Sequence, residues 1–597
     1  MIALLLFFFS VPGFLVAQNI QQQMHTAEAL INNHHYDSAL NLYQKIYNSD
    51  NRNLSAIVGI KKCLVGLQDY SRLIIFLEDA LKSQPERSPL YTDLGEAYFL
   101  NDERDKAFSV WQSHIDRDRD NIGVYRLVAL AMIRQRLYDE AIEIYKEAVN
   151  RLKNQESLHV DIANLYKAQL NYEKASEHYL YYYLSNPKQT AFLQRQLLGL
   201  SDKGKDITPV VNALTAFLLK YPEQDIVREI LAGLYLKDKE YDLAFSIYQS
   251  LETEKSNGTY IQKYALEALA NKAYRNAITG FEFLIKTYPT SSLLQQSYYD
   301  LGRSYAALAY SLDTTEESAQ YMLNAEKIYH DIINSNNKSP IALNSYINLA
   351  DIHFKYYFDL DKAIDNYQKY LKQNTRGKAR DRVLILLGDT YLTKSQMDLA
   401  LKTYQLANHK DYLNKAKFKT AEVYFYSAEF KKAQALFSQL LSSTNPDDPL
   451  MNDVLTRWML IKSFSEDSIS LSRFAHADLL KFQRKYAFAA EEFDDLSRTS
   501  SALKAQAGIS ASKLYSLLAK YEESKLVLMR LKNDIPDDKD IDEIIFLLAE
   551  TEERLKNLDS ALDLYHQLLT NYPNSLLNHK AREKARLLSI ELNKEQS

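Results

Sequence analysis

Apolar and polar positions along this chain follow a helical period, and the pattern itself recurs. In HYDSALNLYQKIY (35–47), LYDEAIEIYKEAV (137–149), NYEKASEHYLYYY (171–183) and EYDLAFSIYQSLE (240–252), a tyrosine precedes a small residue by three positions, and an aromatic follows four later. Spacings of three and four put these side chains on one face of a helix. The small residue serves as a marker: Ala39, Leu73, Ala107, Ala141 and Ala175 stand 34 residues apart. The series continues through Val210, Ala244, Ala277, Ala325, Ala363, Ala400, Ala433, Ala489, Ser524 and Ala561. Twelve of these fifteen markers carry the aromatic, among them Tyr43, Trp111, Tyr179, Tyr404 and Phe437.

About twelve residues before each marker lies a second apolar-small pair, as in Leu94-Gly95, Ile162-Ala163, Leu231-Ala232, Leu301-Gly302 and Leu387-Gly388. Prolines recur twelve residues after the marker, at Pro187, Pro222, Pro289, Pro536 and Pro573. Each unit therefore predicts two helices. Small residues let them approach closely, the aromatic fills the space beside the contact, and proline stops the second helix.

The pattern resembles the tetratricopeptide repeat, a 34-residue helix–turn–helix unit, over roughly residues 21–576. The resemblance implies an all-α fold, an α-solenoid wound as a right-handed superhelix of about 15 hairpins, each burying its apolar face on its neighbours. Composition agrees: 14 glycines and 12 prolines in 597 residues leave few turn-formers for a many-stranded sheet. Most of the 44 tyrosines fall in the repeat slots, so they read as packing residues with a hydroxyl at the helix boundary.

Register breaks divide the chain. Ala277 to Ala325 runs 48 residues, because both helices around 306–333 lengthen, and Ala433 to Ala489 runs 56. The second gap holds LSSTNPDDPL (441–450), a helix around Trp458, and SFSEDSIS (463–470). The expected organisation is a signal peptide at 1–17, an N-terminal array at 18–440, an irregular junction at 441–470, a C-terminal array at 471–576, and a capping helix and tail at 577–597. The signal reading rests on the apolar run from Ile2 to Val16 and on cleavage after Ala17, with an uncleaved anchor as the alternative. No cysteine follows it for a lipid anchor. Export to the periplasm or envelope is the expectation. Units such as FEFLIKTYPTSSLL (281–294), which end in Tyr-Pro-x-Ser, resemble the variant found in bacterial envelope proteins.

Charge narrows the partners. With 72 basic against 77 acidic residues and a net charge of −5, the chain lacks the basic footprint of a nucleic-acid binder. The lone Cys63 forms no intramolecular disulfide and reads as a buried small hydrophobe. The 12 histidines form no His-Glu-x-x-His pair, and no flanked nucleophilic serine occurs. No enzyme activity, cofactor or metal is expected.

GLSDKGKD (199–206) spells part of a phosphate loop. However, Asp206 stands where a magnesium-binding Ser or Thr is required, and the preceding segment reads as helix. The repeat register makes it a turn between helices instead. Gly204 would adopt the left-handed conformation, Asp206 or Thr208 would cap the next helix, and Pro209 would fill its first turn.

The expected role is to hold protein or peptide partners in the groove of first helices, with no nucleic acid or nucleotide, on the periphery of an envelope complex. The resemblance also supplies a carboxylate clamp to test against. Asn164 matches its asparagine, but Val160 replaces its lysine, which disfavours that mode. The candidate partner residues are Arg382, Lys415, Phe418, Lys419 and Tyr426, in the basic region 372–419 and just beyond it. By register Arg382, Lys415, Phe418 and Tyr426 face the concave side. Two readings stay open for this region: a solvated face with Asp381, Asp389 and Asp411 as counter-charges, or an anionic-partner patch. Direct binding of peptidoglycan or an anionic glycolipid through 372–419 is the alternative function. Tyr181 and Tyr183 lie off the packing face and are either a surface anchor or filler for the next hairpin.

Overall fold

Helical hairpins follow one another along the whole described chain. The computed structural model describes residues 11–595 apart from 202–205, 314, 444, 446 and 537, with side chains from Ile20 to Leu592. It divides into two compact units, one up to Ser256 and one from Asn257. Among the described residues there are 32 α-helices and no strand. The expected signal segment falls mostly outside the described residues, and Val11–Asn32 is the first helix.

In the first unit α1 (Val11–Asn32) pairs with α2 (Tyr36–Ser49), α3 (Leu54–Gly66) with α4 (Tyr70–Ser83), and α5 (Ser88–Leu100) with α6 (Arg104–Arg117). Next come α7 (Ile122–Arg134) with α8 (Tyr138–Arg151), and α9 (Leu158–Ala168) with α10 (Tyr172–Ser185). After α11 (Thr190–Leu200) and α12 (Thr208–Lys220), α13 (Asp225–Lys237) pairs with α14 (Tyr241–Leu251).

The second unit pairs α15 (Thr259–Ala270) with α16 (Tyr274–Thr287), α17 (Leu294–Ser311) with α18 (Glu316–Ser335), and α19 (Pro340–Ile352) with α20 (Leu360–Gln373). It continues with α21 (Lys378–Thr393) and α22 (Met397–Gln405), then α23 (Lys410–Tyr426) and α24 (Phe430–Ser443). A single helix, α25 (Met451–Phe464), interrupts the pairing. The pairs α26 (Ser468–Phe482) and α27 (Tyr486–Ser497), α28 (Lys504–Leu517) and α29 (Tyr521–Asp534), and α30 (Ile541–Arg554) and α31 (Leu558–Asn571) lead to the end helix α32 (Asn578–Glu595).

The markers are the core. All fifteen are at most 1% exposed, and the twelve aromatics four residues on are at most 4% exposed. Pro187, Pro222, Pro289, Pro536 and Pro573 each stand two residues past the end of a second helix. Cys63 is fully buried, and burial pushes its thiol up to about 11. The pair Tyr181 and Tyr183 splits, with Tyr183 buried and Tyr181 exposed.

The turn inside the first five hairpins is a Schellman motif. His34, Gln68, Asp102, Arg136 and Leu170 all have φ between 57° and 62° and recur every 34 residues. The hydrogen bonds match: Gln68 N–H donates to Val65 C=O at 3.1 Å and Asp69 N–H to Leu64 C=O at 3.0 Å, satisfying the helix's last carbonyls. The next position in this series is Gly204, which lies outside the described residues. Just past it, Asp206 accepts from Thr208 N–H at 2.9 Å, and Pro209 sits in the first turn of α12.

One hairpin departs from the expected packing. The second helix α12 packs chiefly on α10, not on its partner α11. The slots that hold Gly or Ala in most other hairpins are Leu198 and Val210 here, whose branched side chains are too bulky for the same close approach.

Candidate functional site

Four first helices of the second unit place an acid immediately after their small residue: Asp351 after Ala350, Asp389 after Gly388, Glu422 after Ala421, and Asp478 after Ala477. The aromatic of the paired helix reaches the first two of these acids. Tyr367 donates to Asp351 at 2.5 Å and Tyr404 to Asp389 at 2.6 Å. In the first unit Asn164, the clamp-like asparagine, instead accepts from Tyr179 at 2.8 Å.

A row of like charges would repel itself, and cations are interleaved between its members. Lys419 Nζ lies 3.4 Å from Asp389 and 3.1 Å from Glu422. Arg457 Nη2 lies 3.3 Å from Glu422 and also pairs with Asp478, which Lys481 meets at 2.8 Å. Three acids and three bases thus form a neutral ladder across α21, α23, α25 and α26. Burial alone would raise the Asp478 carboxyl, but Arg457 and Lys481 bring it below the usual carboxylate range. At Lys419 burial opposes the charge, yet Glu422 and Asp389 hold the ammonium above its ordinary value.

Arg457 comes from α25, the helix without a hairpin partner. Val454 and Ile461, two turns apart and buried, anchor that helix. Trp458 Nε1 donates to Ser438 Oγ at 2.9 Å, with Lys462 Nζ 4.5 Å from the indole ring. This leaves Arg457 turned toward Tyr426, whose hydroxyl is 3.4 Å away, and over the Phe425 ring at 5.0 Å.

The ladder floors a cleft of about 740 Å³ lined by α23, α25, α26, α28 and the start of α30. Phe418, Phe474 and Ile509 supply apolar floor, Met459 an exposed apolar wall, and Asp453 and Lys539 polar wall. At its edge the α26–α27 turn reaches back over earlier hairpins. Gln483 Nε2 donates to Leu392 C=O at 3.3 Å, and the Arg484 guanidinium lies 5.0 Å from the Phe358 ring. Phe358 follows a π-helical turn, His353–Tyr357, and is left-handed at φ 55°.

The five residues singled out from the sequence separate here. Arg382 and Lys415 are exposed. Phe418 and Tyr426, expected to present a partner anchor, are 6% and 8% exposed and serve the interior. Lys419 is held in the ladder. The counter-charges also engage their neighbours: Lys378 pairs with Asp411 at 2.7 Å and Arg380 with Asp381 at 2.6 Å. Buried Asp381 further accepts from Asn408 and His409 N–H, both at 2.6 Å, and so ties α21 to the loop before α23. Sequence reading missed Glu422, Arg457 and Asp478. The acids were detectable one residue past the small slots of four first helices in the second unit. Arg457 had no such signal, because α25 stands outside the repeat.

Among the described residues no group of three or more His, Cys, Asp or Glu is placed to hold a metal ion, and no helix is long and apolar enough to cross a membrane. The tetratricopeptide repeat family model matches residues 543–575, which span most of α30 and α31. No curated protein sequence matches the chain. Solved structures with similarity include a Naa15/Naa10 complex bound to HypK-THB, at 14% identity over 96% of this chain and 96% of that one, TM-score 0.28. Yeast Tom70 aligns at 12% identity over 95% of this chain and 99% of that one, TM-score 0.26. A tetratricopeptide repeat protein from Parabacteroides merdae aligns at 14% identity over 50% of this chain and 99% of that one, TM-score 0.29.

Proposed function

This chain is a tetratricopeptide-repeat protein, and we propose that it is a non-catalytic interaction scaffold of the bacterial cell envelope, holding a partner protein or peptide in the cleft of its second unit. The observation that carries the reading is the cleft itself. The ladder charges at its floor are paired within the molecule, so a partner gains by covering apolar surface around Met459 and Ile509 while Asp453 and Lys539 at the wall take polar contacts. The envelope assignment is supported by the signal-like run at 1–17 and by the Tyr-Pro-x-Ser units. Exposed Arg382 and Lys415 are assigned to the partner's periphery, where charge steers association.

A photo-crosslinking amino acid at Met459 in the native cell tests the site. Discrete protein adducts that disappear when Ile509→Glu is added support it, and adducts unaffected by Ile509→Glu remove it. Fractionation tests the location: a chain beginning at Gln18 in the envelope fraction is expected, and an unprocessed cytosolic chain overturns the envelope role. Capture before and after muramidase digestion distinguishes the alternative, in which 372–419 binds peptidoglycan or an anionic glycolipid. Partner proteins that survive digestion favour the scaffold.

A further inference from the structure

In the first unit, two histidines meet. His159 opens α9 and His178 lies mid-way along α10, and their Nδ1 atoms are 2.9 Å apart. Their ring centroids are 5.1 Å apart, and both rings are partly exposed. Tyr181 stands 5.6 Å and 5.9 Å from the two rings, with Tyr166 5.6 Å from His178. At that separation the two nitrogens share one proton, one donating and the other accepting. One lone pair and one N–H are thereby directed between the rings, and the tautomer with both protons on Nε2 would direct two lone pairs there.

We propose that His159 and His178 form a two-nitrogen site for a borderline divalent cation: zinc, copper or nickel. A zinc–imidazole bond is about 2.0–2.1 Å, so a tetrahedral ion spans its nitrogens by roughly 3.3–3.4 Å. The two nitrogens need to part by about half an ångström, and the rings to turn so that both lone pairs converge on the ion. The nitrogen that carried the bridging proton becomes a ligand by the tautomer change that moves that proton to Nε2, so the pair itself releases no proton. Imidazole donors suit these metals and not calcium or magnesium, which require oxygen. Among the described residues no third His, Cys, Asp or Glu is grouped with them, so water completes the coordination and the ion exchanges readily.

The surroundings keep both ligands unprotonated. Burial pushes His178 down to about 4, and His159, Lys146 and Lys174 add to the effect. Burial also lowers His159, with Glu156 opposing. Imidazole binds metal only in its neutral form, so competition from protons is weak here. The same two lysines repel a dication, which limits affinity without blocking the site.

Isothermal titration of the full chain with zinc chloride near neutral pH tests the proposal. Saturable binding of one ion per chain is expected, with at least a tenfold loss of affinity in His159→Gln and in His178→Ala, and a severalfold gain in Lys174→Gln. His159→Gln keeps a polar side chain at a partly exposed position, so it reads the site even if His178→Ala fails to fold. Magnesium should produce no heat of binding. Absence of saturable zinc binding, or zinc binding unchanged by His159→Gln, overturns the site; affinity unchanged by Lys174→Gln places the ion elsewhere and overturns it too.

Discussion

A Cβ atom built on Gly388 would fall 2.3 Å from Cε1 of Tyr404, and the Tyr404 hydroxyl donates to Asp389, the residue beside that glycine. One contact therefore sets both the spacing of a hairpin and the place of an acid in the ladder. The same relationship recurs at Gly95, where a Cβ would lie 2.1 Å from Trp111 Nε1.

Gly388→Ala is expected to destabilise the second unit by about 1–3 kcal/mol, because the phenol ring is fully buried and has nowhere to retreat. Gly199→Ala is the control. It lies in α11 with nothing within 4 Å of its Cβ position, so the helix gains about 0.5–1 kcal/mol. Urea unfolding of the two variants should shift in opposite directions.

Arg457→Ala leaves Glu422 and Asp478 without their shared cation and is expected to cost about 3–5 kcal/mol. Arg457→Met combined with Asp478→Leu removes both charges together and should recover a large part of that loss. Denaturant unfolding followed by Trp458 fluorescence reads the region directly, since that ring sits one residue from the substitution.

Arg136 is exposed and left-handed at φ 61°. Arg136→Gly should stabilise the α7–α8 hairpin by about 0.5–1 kcal/mol, since glycine enters that region without the Cβ clash. Arg136→Val should do the reverse. Amide exchange of the Leu137 N–H, which donates to Met132 C=O at 2.9 Å, reports each change.

Buried His114 has no hydrogen-bond partner on either ring nitrogen and stacks on Tyr91 with centroids 4.5 Å apart. Burial lowers its pKa, with Arg117 adding to the effect, and His178 behaves alike. Below the ordinary histidine value near 6.5 the unfolded chain takes up protons that the folded chain refuses. Stability of the first unit should thus be flat above pH 7 and fall from about pH 6.5 toward pH 4. His114→Phe keeps the stack and removes one proton site, so thermal unfolding at pH 5 should move closer to that at pH 7.5.

The periodic part of this protein was readable residue by residue. Ala39 through Ala561 were assigned as core from spacing alone and are buried, because a helix repeats its faces every three to four residues and a hairpin every 34. The five stop prolines were readable because breakers act on residues close in sequence; the cap of α12 differs from the expectation, since Ile207 holds that position and Asp206 accepts from Thr208 N–H instead. Register put Phe418 and Tyr426 on the concave side as partner anchors, but both are buried. Register along one helix says nothing about what another helix lays over it, and here α25 and α26 cover that side.

The sequence by itself determined the hairpins, their turns and the identity of the packing residues, all of which depend on separations of a few residues or one repeat. Only the tertiary structure decided which charges are spent inside the molecule. Arg457 meets Glu422 across 35 residues and Asp478 across 21, and neither interval belongs to the repeat. Coulomb attraction acts on distance in space, and the segment that brought these groups together follows no period.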